Sequence, residues 1–121
     1  MGIPGEDQVL KQLKEDDNSI RFWEFNEILE LRIEQIYDDE LCANIYIGEF
    51  IVTDGQHKLK IEMKGIHGNL KVYVGTHMQG FVVEDCISKG FQNDNRYHLT
   101  DFENTDDLSI YCSDVYLSVV M

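Results

Sequence analysis

The order of hydrophobic and polar residues changes period once along the chain. Near the N-terminus, Val9, Leu10 and Leu13 recur at helical spacing, with acids before them and lysines after, the charge order that a helix dipole favours. This pattern predicts a short amphipathic helix over residues 5 to 16. From residue 20 onward the apolar side chains follow a period of two, which indicates strands.

Nine segments carry the strand pattern. In residues 28 to 36 apolar side chains alternate with charged ones, which predicts a half-buried strand. Residues 20 to 25 predict a strand with Trp23 and Phe25 on one face. Residues 43 to 53 are apolar on both faces and predict a central strand, in which Gly48 indicates a bulge or a close approach. The predicted strands are residues 20–25, 28–36, 43–53, 58–66, 70–76, 80–87, 96–102, 108–112 and 115–120.

The connections and the chain length fit one domain over residues 1 to 121. Residues 38 to 40 predict a turn, Asp54-Gly55 a hairpin turn, and residues 92 to 95 and 103 to 107 loops. Short strands at regular spacing, one proline and a single helical pattern favour an antiparallel fold. We therefore expect an α+β, mostly β domain: an antiparallel sheet or β-sandwich with one short N-terminal helix.

The window of residues 57 to 77 holds four lysines against one acid, and three of the four histidines. Gly68-Asn69 is a two-residue turn signal; such a turn would pair Met63 with Val74 and place the lysines on the solvent face of a hairpin. The histidines are ten residues apart, which is about 30 Å along a strand, whereas zinc ligands lie about 2 Å from one point. The sequence therefore predicts no metal site and no cofactor.

Charge narrows the choice of partner. The chain has 23 acids against 10 lysines and arginines, a formal net charge of −13. This balance disfavours nucleic acid and anionic membranes, whose phosphates need basic residues, and it suits a basic protein partner. No apolar run reaches the roughly 20 residues of a membrane span, and the acidic start is unlike a secretory signal. We therefore expect a cytoplasmic protein.

No catalytic motif is present in the sequence. The cysteines Cys42, Cys86 and Cys112 are widely spaced among apolar residues, which predicts small buried hydrophobes rather than a disulfide framework. Pairing of Cys86 with His98 is conceivable. The neighbouring Asp85, however, would raise the thiol pKa and so disfavour the reactive thiolate. We therefore predict no catalytic residues and no enzymatic activity.

Acids and aromatics are interleaved in the segment from residue 93 to residue 116. Aromatic anchors inside a charged rim make a surface suited to a basic protein. The alternative interpretation is that the aromatics fill the core and the acids mark loops. The candidate partner-binding residues are Asp101, Phe102, Glu103, Asp106, Asp107, Tyr111 and Asp114.

Three stretches, RFWEFNEILELRIEQIYDDEL, MKGIHGNLKVYV and YHLTDFENTDDLSIYCSDVYLSV, give the chain a resemblance to small acidic immunity proteins of bacterial polymorphic and contact-dependent toxin systems. The resemblance implies a non-enzymatic inhibitor that binds a basic toxin, such as a nuclease, and blocks its active site. Two alternatives remain open. One is a ligand- or carbohydrate-binding β domain using the lysine hairpin with Tyr73 and His77, and the other is a phage-encoded acidic inhibitor that mimics DNA.

Overall fold

The computed structural model describes residues 3–13, 20–86 and 95–120. It contains two four-stranded antiparallel sheets, a helix α1 (Glu6–Leu13) and a 3-10 helix (Phe22–Glu24). The predicted class, α+β and mostly β, is confirmed. The strands are β1 (Glu27–Asp38), β2 (Ala43–Thr53), β3 (Lys58–Lys64), β4 (His67–Leu70), β5 (Phe81–Asp85), β6 (Tyr97–Asp101), β7 (Leu108–Cys112) and β8 (Asp114–Val120).

The two sheets are joined at one corner by a continuous ribbon. Sheet 1 has the order β1-β2-β3-β8 and sheet 2 the order β4-β7-β6-β5. β3 runs into β4 where β7 runs into β8, and the register is the same on both sides: Lys64 pairs with Asp114, and His67 with Tyr111. At the corner the backbone N–H and the hydroxyl of Ser113 both donate to the carbonyl of Lys64, at 3.0 and 3.1 Å. The hydrogen-bonded ladder therefore bends at the corner without a change of register.

The predicted hairpin with its turn at Gly68-Asn69 is wrong, because the chain leaves sheet 1 at this corner and enters sheet 2. β3 pairs with β2 and β8, whereas Gly68 lies inside β4 and pairs with Ile110. Residues 71 to 76 are not a strand. Gly65, at φ +73°, turns the chain out of sheet 1 in a left-handed conformation that glycine adopts without steric cost. The alternation of side chains continues through the corner, so the sequence gives no sign that the strand has changed partners.

Two other segments near the N-terminus differ from expectation. The predicted helix over residues 5 to 16 begins one residue later, at Glu6, and extends to Leu13; residues 14 to 16 lie outside the described residues. The predicted strand at residues 20 to 25 is wrong, because Phe22–Glu24 forms a 3-10 helix. Its i, i+3 spacing turns Phe22 and Phe25 into the core and leaves Trp23 61% exposed.

The remaining connections agree with the sequence where the structure describes them. β2 lies between β1 and β3, and a turn at residues 54 to 57 that includes Asp54-Gly55 joins β2 to β3. Cδ1 of Ile66 would lie 2.5 Å from a β-carbon at Gly48, so a larger residue there would force the Ile66 side chain to move, which confirms the close approach. The bulge is in β1, between Ile28 and Glu30. Of the predicted loop at residues 92 to 95, residues 92 to 94 lie outside the described ranges.

The core lies between the two sheets, and α1 packs against β8. Burial of each large apolar side chain contributes roughly 1.5–3 kcal/mol, so this layer fixes which face of each strand points inward. Among the described residues, no helix is long and apolar enough to cross a membrane. The largest fully buried side chains include Val9, Ile28, Phe50, Leu59, Ile61, Phe81, Leu99, Leu108, Ile110 and Leu117.

Candidate functional site

The connection from β6 to β7, residues 102 to 107, is an exposed acidic loop, which confirms the loop predicted there. Phe102 is 59% exposed. The acids Glu103, Asp106 and Asp107 are exposed around it, and the six residues include no lysine or arginine. We call residues 102 to 107 the acidic loop. It presents one large exposed aromatic side chain and three exposed acids within six residues.

Asp101, at the end of β6, is buried rather than exposed, so its assignment to the partner-binding surface is corrected. Its side chain is 3% exposed and accepts hydrogen bonds from the backbone N–H groups of Gln79 (2.9 Å), Gly80 (2.8 Å) and Glu103 (3.1 Å), and from the side-chain amide of Asn104 (3.3 Å). Burial disfavours the charged carboxylate, but these donors outweigh it and lower the pKa of Asp101. The hydrogen bonds of the buried Asp101 carboxylate therefore hold the start of the acidic loop in place.

Backbone hydrogen bonds fix the rest of the acidic loop. The N–H of Phe102 donates to the carbonyl of Gly80 at 3.0 Å, and the N–H of Asp107 to that of Asn104 at 3.0 Å. The carbonyl of Asp107 accepts from the N–H of Lys71 at 2.6 Å. The loop is thus tied to two neighbouring segments. Little conformational entropy would remain to be lost when a partner binds.

The structure does not bring Tyr111 and Asp114 to the acidic loop. Asp114 lies beyond the opposite end of β7, about 20 Å away along the strand, where it is exposed and accepts a hydrogen bond from Ser113. The Tyr111 ring is half-buried and stacks on His98, with ring centroids 4.2 Å apart. Of the seven predicted residues, four share one exposed site: Phe102, Glu103, Asp106 and Asp107.

A polar row that the sequence did not reveal crosses sheet 2. Nε2 of His98 lies 2.9 Å from Oγ of Ser109, and Nδ1 of His98 lies 3.3 Å from Oε1 of Glu84. Hydroxyl, imidazole and carboxylate follow each other in the order used by serine hydrolases. Ser109 is on the central strand β7, however, whose backbone N–H groups bond to β4 and β6, so they do not supply an oxyanion hole. The row links three strands, and only the strand register could have revealed it.

The far end of the β1–β2 hairpin, residues 33 to 46, extends past β3, whose last paired residue lies opposite Ile47. We call residues 33 to 46 the arm. It holds four acids and no lysine or arginine. The sequence predicted a half-buried strand over residues 28 to 36 and a central strand over residues 43 to 53, but the pairing with β3 ends at Ile47 and leaves most of the arm exposed. The exposed large apolar side chains of the arm are Ile33, Ile36, Tyr37, Leu41 and Tyr46.

Two of the three lysines of β3, Lys60 and Lys64, are paired with acids. Nζ of Lys60 lies 3.6 Å from Glu49 and 3.8 Å from Glu62, and Nζ of Lys64 lies 3.0 Å from Asp38. Tyr73 and His77, expected on the same face, lie instead in the segment that borders the start of β1. The face that would serve the ligand-binding alternative is therefore not assembled as predicted.

The cysteines divide into two kinds. Cys86 and Cys112 are buried as predicted, but Cys42 is exposed in the turn at the tip of the arm, and the expectation of burial there is wrong. Burial, together with the nearby Asp114, raises the pKa of Cys112 to about 12. Within residues 3–13, 20–86 and 95–120, no three histidine, cysteine or acidic side chains converge as metal ligands would.

Comparisons with protein-family models, curated proteins and solved structures give no match to this chain. The fold and surface define a small antiparallel β domain with an acidic aromatic loop on one sheet and an exposed arm on the other.

Proposed function

We propose that this protein is a non-enzymatic inhibitor of the immunity-protein kind, which binds a basic protein toxin through its acidic loop. One observation carries the proposal. Phe102 is 59% exposed among Glu103, Asp106 and Asp107, on a loop that the buried Asp101 holds in place.

This arrangement has the physical properties of a binding surface. A large aromatic side chain supplies contact area at low entropic cost, and interface anchors of this kind carry much of the binding energy. A loop already fixed by hydrogen bonds loses little freedom on binding. Exposed carboxylates on a chain of net charge −13 attract a basic partner over a distance of about 8–10 Å at physiological salt, which accelerates encounter.

Inhibition would require no chemistry by this protein. If the toxin is a nuclease, the carboxylates of Glu103, Asp106 and Asp107 would occupy the positions of substrate phosphates, and the body of the domain would block the active site. Such an inhibitor would act in the cytoplasm of the cell that makes the toxin. The small size, acidity and mostly β structure of the chain are consistent with the resemblance to immunity proteins.

The test begins with a toxin encoded next to the gene of this protein. Its association rate would be measured at two salt concentrations for the wild type and for Asp106→Lys/Asp107→Lys. A matched control, Glu34→Lys/Asp39→Lys, makes the same change of charge on the arm. The proposal expects the loop variant to associate at least tenfold more slowly at low salt, because steering depends on local charge. It expects the control to slow association much less.

Two results would contradict the proposal. Failure of the protein to bind or neutralise the neighbouring toxin would remove the inhibitor function. Binding with equal rates for wild type and loop variant would remove the acidic loop as the interface. Both variants change exposed charges, which contribute little to the free energy of unfolding, so loss of fold would not confuse the comparison.

A further inference from the structure

The outer edge of β1 is the long open edge among the described strands. The edge of β8 is covered at its middle, because the carbonyl of Pro4 accepts a hydrogen bond from the N–H of Leu117 at 2.9 Å and Gly5 packs against the backbone of Leu117. The start of β1 is covered too, since Ile28 exchanges hydrogen bonds with residues 75 and 76. From residue 30 to residue 37, the described chain makes backbone hydrogen bonds to β2 alone. Sheet 2 ends in the short strands β4 and β5.

An open edge of this length is an available template for another strand. We propose that residues 30 to 36 pair with the same residues of a second copy of this chain, antiparallel about a two-fold axis centred on Ile33. The two copies of sheet 1 would then form one sheet of eight strands. This surface is on the sheet opposite the acidic loop, so the inference does not depend on the proposed function.

Symmetry restricts the register of this pairing. Directly opposed residues of an antiparallel pair have their side chains on the same face of the sheet, and faces alternate along a strand. A two-fold axis perpendicular to the sheet keeps every side chain on its own face of the sheet. The axis must therefore lie midway between one residue and the same residue of the second copy. An axis at Ile33 places Arg32 opposite Glu34 of the second copy, and the symmetry repeats this contact.

Charge complementarity singles out Ile33 as the centre. An axis at residue 34 would oppose Arg32 to Ile36 and Glu34 to its own copy. An axis at residue 31 would pair only residues 30 to 32 of the open edge, because the residues beyond them would oppose the segment of β1 beside Ile28, which residues 75 and 76 already cover. Of the two axes that pair seven residues of the open edge, at residues 33 and 34, only the axis at Ile33 opposes Arg32 to Glu34, and it leaves Glu30 opposite Ile36. Opposite charges directly across a strand pair are favourable, and like charges are unfavourable.

The exposed apolar side chains of the arm also favour a second copy of this chain as the partner of the β1 edge. Ile33 is 37% and Tyr37 60% exposed, and both share the face of β1 that, nearer the core, points inward through Leu31. In the proposed dimer the two copies of Ile33 would contact each other across the axis. At the middle of the edge, a basic partner strand would instead meet Arg32, whose guanidinium lies 3.3 Å from Glu49 of β2 and whose side chain is 72% exposed. The second copy is therefore the better fit.

The experiment measures the mass of the full chain by sedimentation from about 1 μM to about 500 μM, a span that resolves micromolar self-association. The mass should rise from 14.1 kDa toward twice that value. Arg32→Glu gives two like-charge contacts per dimer, as does Glu34→Arg, and each should weaken self-association by roughly tenfold or more. Lys11→Glu, on the exposed face of α1, is the control with the same charge change as Arg32→Glu.

Mixing the two weakened variants gives the decisive result. In a mixed pair, the two acids at positions 32 and 34 of the Arg32→Glu chain face the two arginines at positions 34 and 32 of the Glu34→Arg chain. The two variants should therefore associate with each other more tightly than either does with itself. A wild-type chain that stays at monomer mass throughout would overturn the proposal. So would a dimer insensitive to Arg32→Glu, or variants that do not pair when mixed. Tighter binding of polylysine by Arg32→Glu, without self-association, would assign the edge to a basic partner instead.

Discussion

Nζ of Lys64, at the end of β3, lies 3.0 Å from Oδ2 of Asp38, at the end of β1. The other oxygen of Asp38 accepts a hydrogen bond from the backbone N–H of Leu41 at 3.1 Å. One carboxylate therefore both closes the turn at the tip of the arm and ties that tip to the third strand. The hydrogen bond from Lys64 lowers the pKa of Asp38, and the same contact raises the pKa of Lys64.

We expect Lys64→Met to loosen the arm without unfolding the domain. Hydrogen exchange should accelerate at Leu41 and its neighbours and stay unchanged in β6 and β7, because local opening reflects local contacts. Lys58→Met, at the exposed far end of β3, is the control and should leave the arm unaffected. In the wild type, the contribution of Asp38 is present above its ordinary pKa of 3.8 and is lost as the pH falls through the lower folded value. Equal exchange in both variants would mean that the ion pair does not hold the arm.

Asp101→Asn should destabilise the domain by about 2–3 kcal/mol, since an amide offers one acceptor oxygen where the carboxylate offers two to buried donors. The folded-state pKa of Asp101 lies below its ordinary value of 3.8. Its contribution is therefore complete above that value and lost as the pH falls through the folded pKa. Urea unfolding between pH 6 and pH 3, as a pH series, should show a smaller loss of stability for the variant than for the wild type. Asp106→Asn, on the exposed acidic loop, should change the free energy of unfolding by less than about 0.5 kcal/mol. Parallel pH curves for wild type and Asp101→Asn would contradict the assignment.

Two positions on opposite faces of β3, Lys58 and Ile61, should respond very differently to substitution by aspartate. Ile61 has no exposed surface, so Ile61→Asp buries a charge and should cost several kcal/mol of unfolding free energy, about 3 or more. Lys58→Asp is an exposed change on the opposite face of the strand and should cost less than about 1 kcal/mol. Equal midpoints in urea would show that the faces of β3 are assigned the wrong way round.

The thiols should react in two classes. Cys42 is exposed, whereas Cys86 and Cys112 are buried. The pKa of Cys112 is raised to about 12, so at neutral pH its side chain stays a protonated thiol, which does not react. A disulfide reagent added to the native protein at pH 8 should modify one thiol rapidly, and three in guanidinium chloride. Cys42→Ser should abolish the rapid phase. Rapid modification of two or three thiols in the native state would contradict the burial of Cys86 and Cys112.

Local patterns predicted most strands of this fold. The errors lie in segments whose conformation or strand pairing is determined by long-range contacts. Alternation placed Leu59, Ile61 and Met63 correctly on the buried face of β3. The same alternation continues past Gly65, so nothing local reveals that the chain there leaves one sheet for the other. At Phe22 and Phe25 a period of three looked like a period of two, because the segment is too short to separate them.

The candidate site shows a similar limit. The sequence located an acidic aromatic segment, but not that Asp101 points inward, because an acid after a strand has the same composition whether it is exposed or satisfies buried N–H groups. The exposure of Ile33 and Ile36 depends on where β3 ends relative to β1 and β2. The row of Glu84, His98 and Ser109 depends on the register of three strands. None of these relations is a property of one segment.

The ribbon that turns the corner between the sheets has a consequence for how the domain unfolds. Its two strands pair residues as far apart in sequence as Lys58 and Val120, and no nearer than Leu70 and Leu108. Closing such distant pairs costs chain entropy before the contacts form, which makes for slow folding. One half of this ladder, β3 with β8, lies in sheet 1, and the other half, β4 with β7, lies in sheet 2. If the ladder separates in one sheet, it therefore also opens the edge of the other sheet. We therefore expect one cooperative transition that carries both sheets together, with calorimetric and van't Hoff enthalpies that agree.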